Sequence, residues 1–205
     1  MIPDHVLVVT RRFEAQEALL CDADFAALCA CLARVDGLMF YNGGAAAGAS
    51  QAHKHLQMVP LPLASAGPST PIDAVLESVR DRKGILAVPG LIFQHAFTWL
   101  EPGLFERDRD VVDQITSLYS QLHHRIGIHA IERNGERYQS DPWNLLVTRK
   151  WMLAVPRQCE DFKGVPINAL GFAGSLFVRD EKQFTSIVDA GPMAALAAVS
   201  GLRSA

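Results

Sequence analysis

The segment HKHLQ places two histidines and a glutamine at alternate positions, His53, His55 and Gln57. Because successive side chains of an extended strand point to opposite faces, these three would share one face, and Lys54 and Leu56 would lie on the other. Two imidazoles and an amide are costly to bury on one face unless each finds a polar partner. The pattern therefore indicates a ligand, a metal ion or a reaction at this strand.

A run of small residues, NGGAAAGASQ, occupies residues 42–51 just before this strand. Its glycines, Gly43, Gly44 and Gly48, allow the backbone to approach a ligand closely, and successive N–H groups of such a loop can bind an anion. A neutral imidazole, with an ordinary pKa of about 6.5, is a competent nucleophile near neutral pH. Loop and strand together predict a phosphate site facing an imidazole, an arrangement that suits nucleotidyl transfer through a covalent phosphohistidine-type intermediate.

Zinc binding is an alternative use of the two histidines. A His-x-His pair can supply two ligands, but a zinc site needs a third and usually a fourth ligand at a suitable position. The later histidines show no diagnostic spacing; they are His95, His123, His124 and His129. We therefore predict no metal ligands in this chain.

The composition is that of an ordinary globular protein. Its 205 residues, 49% hydrophobic and 20% charged, are enough for one large core or two small domains. A net charge of −3 and a pI near 6.1 argue against a broad basic surface for nucleic acid. No run approaches the roughly 20 apolar residues that cross a bilayer, and the four cysteines lack CxxC spacing. We predict free thiols and a cytoplasmic protein with neither a nucleic-acid nor a membrane partner.

Hydrophobic periodicity predicts an α+β fold in which helices cover an antiparallel sheet. Strands are expected at residues 5–10, 38–42, 53–61 and 90–100, with two more within 143–157, and helices at 22–35, 71–82 and 111–128. The second and third of these strands should pair as an antiparallel hairpin across the glycine-rich loop. Asp22 or Asp24 is the expected N-cap of the first helix, and Ser69 or Thr70 that of the second. Residues 62–71, rich in Pro, Ser and Gly, are the best candidate linker.

Several segments resemble one enzyme family. HKHLQ resembles the active strand of the histidine triad superfamily, in the transferase variant whose last position is glutamine. In chain order, PDHVLVVTRRFEAQ, FYNGGAAAGASQAHKHLQMVPLPL, NLLVTRKWMLAVPR and INALGFAGSLFVRDE resemble the diadenosine tetraphosphate phosphorylases, also called ATP adenylyltransferases. The resemblance runs through most of the 205 residues. It implies a histidine triad-like antiparallel sheet with covering helices.

The same resemblance implies a domain division and a difference from the family. Residues 1–66 correspond to the remainder of the N-terminal phosphorylase domain, and residues 67–205 to the C-terminal ATP adenylyltransferase domain. Family members carry further sequence before the PDH segment, so this chain is expected to lack their N-terminal segment. A first strand without its upstream partners would expose Val6 and Val8, which predicts either poor solubility or a homo-oligomer formed along that edge.

The activity implied by the resemblance is phosphorolysis of diadenosine tetraphosphate to ATP and ADP, with His55 as the catalytic nucleophile. His53 would orient the neighbouring strand or loop, and Gln57 would donate its amide to a phosphoryl oxygen. Arg179 would place a positive charge opposite the polyphosphate. The full set of implied binding residues is Asn42, Gly48, Ala49, Ser50, Gln51, His53, Gln57, Asn168, Ala169, Leu170, Ser175 and Arg179.

The implied ligands are adenine nucleotides and inorganic phosphate, with no tightly bound cofactor; a divalent cation such as Mg²⁺ would accompany the nucleotide. Two alternatives to the active phosphorylase stay open. One is a truncated, weakly active or inactive homologue that still binds adenine nucleotides. The other is a histidine triad hydrolase, which the glutamine at Gln57 disfavours.

Overall fold

The computed structural model describes residues 4–107 and 110–202. The strands are β1 (Val6–Val9), β2 (Gly37–Gly43), β3 (His55–Pro60), β4 (Ala96–Trp99), β5 (Ala130–Arg133), β6 (Glu136–Gln139), β7 (Trp143–Val147), β8 (Trp151–Pro156), β9 (Asp161–Phe162) and β10 (Val165–Pro166). The helices are α1 (Asp22–Arg34), α2 (Asp73–Leu76), α3 (Leu104–Arg107), α4 (Val111–Ile126), α5 (Ala169–Phe172), α6 (Glu181–Ala190) and α7 (Pro192–Ser200), with 3₁₀ turns at Ala45–Ala47 and Glu77–Val79.

One antiparallel sheet organises the molecule. Six strands are hydrogen-bonded in the order β1-β3-β2-β7-β8-β4, while β5 with β6 and β9 with β10 form two small ribbons. The first three strands of that order come from residues 1–66 and the other three from later in the chain. A continuous sheet therefore joins the two expected domains, and the boundary at residues 66 and 67 stays a prediction.

Both faces of the central strand β2 are buried, because its residues alternate between two apolar clusters. Leu38 and Phe40 of β2 pack in one cluster with α5, α7 and the segment around residues 72–97. Met39 and Tyr41 pack in the other cluster with α1 and α4. Every residue of β2 is buried as a result. The expected α+β architecture is confirmed.

The expected hairpin and strand alternation are also confirmed. β2 pairs antiparallel with β3 in the register that sets Gly37 opposite Pro60 and Phe40 opposite Gln57. Leu56 faces the cluster beside α1, as the alternation predicts, and Lys54 points to the same side, where its ammonium reaches α1. The 143–157 segment forms β7 and β8, which are paired antiparallel.

Two expected helix caps are wrong, because a carboxylate within each helix caps the backbone in their place. The N-cap of α1 is Cys21, whose N–H donates to the Asp24 carboxylate at 2.9 Å. At α2 the Thr70 N–H donates to the Asp73 carboxylate at 2.9 Å, and no side chain caps the helix from its N-cap, Ile72. The Asp24 and Asp73 carboxylates thus satisfy the donors that precede each helix.

Two expected elements are shorter than the periodicity indicates. The helix predicted over residues 71–82 is a short α2 followed by the 3₁₀ turn Glu77–Val79. The strand predicted over residues 90–100 is limited to β4. Ahead of it, His95 accepts the Val88 N–H at 2.8 Å and the Leu91 N–H donates to the Val88 carbonyl, so this stretch folds back on itself.

β1 forms the outer strand of the sheet beside β3. Val6, Leu7 and Val9 are 41%, 58% and 57% exposed, whereas Val8 packs half-buried against the α1 cluster. The expected exposure is therefore confirmed for Val6 and wrong for Val8. Association along this edge stays a prediction. Among the described residues, no helix has the length and apolar character needed to cross a membrane.

Candidate active site

The glycine-rich loop connects β2 to β3 at one end of the main sheet. Gly44 and Gly48 have φ values of +93° and +89°, a region that side-chain-bearing residues rarely adopt. Gly48 also lies against Asn168, where a Cβ atom would come within 2.8 Å of the Asn168 Cβ. The loop therefore needs glycine at residue 48 for both its conformation and its contact with the second half of the chain.

Part of the expected phosphate nest is used inside the loop itself. The Gly48 N–H donates to the Ala45 carbonyl at 2.8 Å, and the Ala49 N–H donates to the Gly44 carbonyl at 3.2 Å. Ser50 and Gln51 follow these bonds and are exposed. Of the loop residues expected to donate to phosphate, Ser50 and Gln51 are therefore the ones that a ligand can reach from solvent.

A cleft of about 420 Å³ lies between this loop and the segment that follows β10. It brings together five of the predicted binding residues: Gly48, Ser50, Asn168, Ser175 and Arg179. The other lining residues, which the sequence did not indicate, are Glu160, Pro166, Ile167, Gly171, Leu176, Phe177 and Val178. The loop and the distal segment, more than 100 residues apart, form one concave site.

Asn42, Ala169 and Leu170 support this cleft instead of lining it. Asn42 is 1% exposed, and its Oδ1 accepts the Ala169 N–H at 3.0 Å. The Asn168 Oδ1 caps α5 by accepting the Leu170 N–H at 3.0 Å. Ala169 and Leu170 have 0% and 3% exposure, so their side chains belong to the apolar core.

The imidazole of His55 is oriented by its own strand. It is 6% exposed, and its Nδ1 lies 2.8 Å from the His53 carbonyl oxygen. Because a carbonyl only accepts, Nδ1 carries the hydrogen, which leaves the lone pair on Nε2. The Gln57 amide nitrogen lies 3.4 Å from that Nε2. A neutral imidazole with its Nε2 lone pair free of any short bond is the form that acts as a nucleophile.

The ring of His53 is occupied elsewhere. Its Nε2 lies 2.9 Å from the Thr10 hydroxyl and 3.1 Å from the Arg12 carbonyl, and its ring centroid lies 5.5 Å from that of Phe13. His53 therefore joins β3 to the segment after β1, while its backbone carbonyl orients His55.

A buried arginine behind the cleft was not indicated by the sequence. Arg157 is 4% exposed, and its guanidinium donates to the Asn144 Oδ1 at 2.8 Å, to the Ala47 carbonyl at 3.2 Å and to the Cys159 carbonyl at 2.8 Å. Burial lowers the pKa of Arg157 to about 10, so it is charged at neutral pH. Within residues 4–107 and 110–202 it forms no ion pair with a carboxylate.

Lys54 is a second buried cation, and unlike Arg157 it is paired with carboxylates. It is 1% exposed and forms ion pairs with Glu14 and Asp24 at 2.5 and 2.8 Å. Two carboxylates balance its charge, whereas neutral acceptors surround the charge of Arg157. Arg157 has no ion pair of this kind among the described residues, although Glu160, which lines the cleft, interacts with its charge electrostatically.

In the described part of the chain, no three His, Cys, Asp or Glu side chains are grouped so as to hold a metal ion. All four cysteines, which are Cys21, Cys29, Cys31 and Cys159, are free thiols.

Comparison with known proteins identifies relatives along the whole chain. The family model described as Ap4A phosphorylase N-terminal domain matches residues 1–78, and the one described as ATP adenylyltransferase C-terminal domain matches residues 89–201. Ap4A is diadenosine tetraphosphate. Among curated proteins of Saccharomyces cerevisiae, diadenosine 5',5'''-P1,P4-tetraphosphate phosphorylase 2 is 26% identical over 211 residues and Protein APA1 is 24% identical over 207 residues. Each alignment covers 92% of this chain and 62% of the relative, so the chain spans less than two thirds of their length.

Solved structures of yeast Ap4A phosphorylase Apa2 share the fold. The structure without a named ligand matches with a TM-score of 0.80 and 23% identity, covering 100% of this chain and 70% of Apa2. The Apa2 complex with Ap4A matches with a TM-score of 0.79 and 21% identity, covering 100% and 71%. Since the C-terminal family model alone matches more than half of the residues, the chain belongs to the Ap4A phosphorylase, or ATP adenylyltransferase, family.

Proposed function

We propose that this chain transfers an adenylyl group from diadenosine tetraphosphate to inorganic phosphate, releasing ATP and ADP. The observation that carries the proposal is the His55 imidazole, whose Nδ1–H is held by the His53 carbonyl at 2.8 Å so that Nε2 keeps its lone pair. The curated yeast relative is named as a diadenosine tetraphosphate phosphorylase, and yeast Apa2 has been solved with AMP and with Ap4A. These names support the choice of substrate.

In the first step, Nε2 of His55 attacks the α-phosphorus of one adenosine. An N–P bond forms, the bridging P–O bond breaks, and the electron pair leaves with ATP. The imidazole becomes cationic, and the Nδ1–H bond to the His53 carbonyl strengthens because its donor gains charge. In the second step, an oxygen of inorganic phosphate attacks the adenylyl phosphorus. The N–P bond breaks, ADP forms, and the lone pair returns to Nε2.

Gln57 supplies the physical reason for phosphorolysis in place of hydrolysis. A water molecule must lose a proton as it attacks, whereas a phosphate dianion is already nucleophilic. The Gln57 amide can donate a hydrogen bond but cannot accept a proton near neutral pH. With its nitrogen 3.4 Å from the His55 Nε2, it lies beside the reacting nitrogen without being a base for water.

The cleft provides the binding surface for the polyphosphate. The Ser50 hydroxyl, the Asn168 amide and the Arg179 guanidinium line it, and a guanidinium can bind phosphoryl oxygens with two parallel hydrogen bonds. The guanidinium of Arg157 lies behind the glycine-rich loop, where it donates to the Ala47 carbonyl. We propose that Mg²⁺, where it takes part, enters on the polyphosphate, since phosphate oxygens are its preferred partners.

The remaining partners follow from the same proposal. They are adenine nucleotides and inorganic phosphate, without nucleic acid or membrane lipid, in the cytoplasm. A homo-oligomer along the exposed β1 edge is part of the proposal, because Leu7 and Val9 are more than half exposed there.

The direct test is to incubate the purified chain with diadenosine tetraphosphate, with and without inorganic phosphate, and to quantify ATP, ADP and AMP. We expect ADP and ATP in equal amounts only when phosphate is present, and no turnover by the His55→Ala variant. Samples without phosphate that are denatured at alkaline pH, where the N–P bond is stable, should contain an adenylyl group on the peptide that carries His55. Formation of AMP without ADP would indicate the hydrolase alternative, and nucleotide binding without any product would indicate the inactive homologue.

A further inference from the structure

The pairing of β2 with β3 stops just before the proposed nucleophile. The paired residues end at Phe40 and Gln57, and the same register would set Asn42 directly opposite His55. The side chain of Gln16 lies between these two residues instead. It is 1% exposed, so neither solvent nor ligand occupies this position.

The amide of Gln16 takes over the hydrogen bonds of the interrupted pairing. Its Nε2 donates to the Asn42 carbonyl at 2.8 Å and to the His55 carbonyl at 3.3 Å. Its Oε1 accepts the His55 N–H at 2.9 Å. Both backbone polar groups of His55 are therefore bonded to one side chain. An amide inserted in this way holds the two backbones farther apart than the roughly 4.8 Å between paired strands.

The backbone of Gln16 is itself held by hydrogen bonds on two sides. Its N–H donates to the Ala52 carbonyl at 2.9 Å, and the Tyr41 hydroxyl donates to its carbonyl. The neighbouring Ala15 forms a bridge with His53. A residue held on each side in this way can act as a rigid spacer.

We propose that Gln16 is a positioning residue for His55, an inference that rests on the proposed adenylyl transfer. The Gln16 amide fixes the backbone of His55, and the His53 carbonyl fixes its ring through Nδ1. Together these contacts determine where Nε2 points. They also hold β3 apart from the end of β2, where the glycine-rich loop begins.

The main test is the Gln16→Met variant, which keeps the length and bulk of the side chain and removes its three hydrogen bonds. We expect kcat to fall by about 10- to 100-fold with little change in KM, because a small displacement of a reacting atom costs rate more than binding. The Gln16→Glu variant keeps the acceptor for the His55 N–H and, while its carboxyl group is protonated, a donor for the Asn42 carbonyl, so it should lose less at acidic pH. If Gln16→Met does not fold, this second variant carries the test.

The matched control is His95→Ala, which removes another buried side chain bonded to two backbone groups. It should lower the melting temperature as Gln16→Met does while leaving kcat unchanged. If kcat falls equally in both variants, or if the loss in Gln16→Met is entirely in KM, Gln16 is only structural and the inference is overturned.

A second readout is independent of turnover. The rate at which diethyl pyrocarbonate modifies His55, measured by peptide mass against His53 in the same sample, should rise several-fold in Gln16→Met because the backbone that carries the ring is no longer held. An unchanged rate would overturn the role of Gln16 whether or not the chain is active. An inactive parent whose His55 rate still rises would overturn the proposed function and leave the positioning by Gln16 supported.

Discussion

His55 and His95 are two buried histidines whose Nδ1 atoms have the same surroundings and whose Nε2 atoms have different ones. In each, Nδ1 lies 2.8 Å from the carbonyl oxygen two residues earlier, of His53 and of Phe93. Both rings therefore carry the hydrogen on Nδ1 and the lone pair on Nε2. In His95 that lone pair accepts the Val88 N–H at 2.8 Å. In His55 the nearest donor is the Gln57 amide at 3.4 Å, which is too long for a strong bond.

The two rings therefore share tautomer and burial and differ only in the partner of Nε2. The lone pair of His95 accepts a hydrogen bond from the Val88 backbone. The lone pair of His55 faces only the Gln57 amide at 3.4 Å among the described residues, and under the proposed function it attacks phosphorus. The two buried cations also differ in their partners. Lys54 forms ion pairs with carboxylates, whereas the guanidinium of Arg157 donates to neutral acceptors such as the Asn144 amide.

The largest expected effect comes from removing each ring in turn. His55→Ala should reduce phosphorolysis by about 10³-fold or more, since the covalent intermediate can no longer form. His95→Ala should leave the rate per folded molecule unchanged. Initial rates of ADP formation, with nucleotide binding measured separately by calorimetry, check both. Turnover by His55→Ala close to that of the parent chain would remove the contrast between the two histidines.

For stability, in contrast to activity, we expect the loss when His95 is replaced. His95→Ala removes the hydrogen bonds of its ring to the Val88 N–H and the Phe93 carbonyl, which should lower the free energy of unfolding by about 1–3 kcal/mol. Urea unfolding followed by fluorescence measures the change. The exposed His129 is the control, and His129→Ala should change the free energy of unfolding by less than about 0.5 kcal/mol. Equal losses in both variants would show that the bonds of His95 add no stability.

A third variant tests the role of Gln57, the side chain next to the His55 Nε2. Gln57→His puts a second imidazole next to the His55 Nε2, where it can accept a proton from water. The ratio of AMP to ADP among the products should rise by about tenfold. Product analysis by chromatography at fixed phosphate concentration measures it. An unchanged ratio would mean that residues of the cleft, such as Ser50, select the acceptor.

The smallest expected effect is on the pH dependence of stability, and it comes from a third buried histidine, His123. His123 lies 4.1 Å from the ring centroids of Tyr119 and Trp143, and its Nε2 bonds to no described polar atom. Burial lowers the pKa of His123 to about 3. Between that value and the unfolded pKa of about 6.5 the unfolded chain binds the extra proton, so stability falls as pH decreases through this window.

We therefore expect the parent chain to lose about 1 kcal/mol of unfolding free energy from this group between pH 7.5 and pH 5.5. The His123→Phe variant should lose less over the same interval, while the exposed neighbour variant His124→Phe should behave as the parent. Urea unfolding at both pH values tests this. A parallel decrease in all three proteins would assign the acid sensitivity to other groups. The ring of His123 has an unbonded Nε2 and is 6% exposed, as the ring of His55 is, so an unbonded Nε2 does not by itself identify a reactive histidine.

Some of the fold could be predicted because its signals are local. The alternation in HKHLQ assigns Lys54 and His55 to opposite faces, and the structure places Lys54 against Asp24 of α1. The helix over residues 111–128 was indicated by its periodicity and is found as α4. The periodicity of residues 71–82 did not predict that α2 starts at Asp73, after the Thr70 N–H donates to its carboxylate, or that a 3₁₀ turn replaces the helix from Glu77.

The sequence by itself determined the chemistry of the candidate site and the sheet that holds it. A histidine, a glutamine and a glycine-rich loop occur within one short stretch of chain, so their spacing limits what they can form. Tertiary structure alone decided which groups surround them. Gln16 meets His55 from 39 residues away, and Arg157 meets Ala47 from 110 residues away. No periodicity marks an isolated glutamine or arginine, because its partners are set by the packing of strands that are distant in sequence.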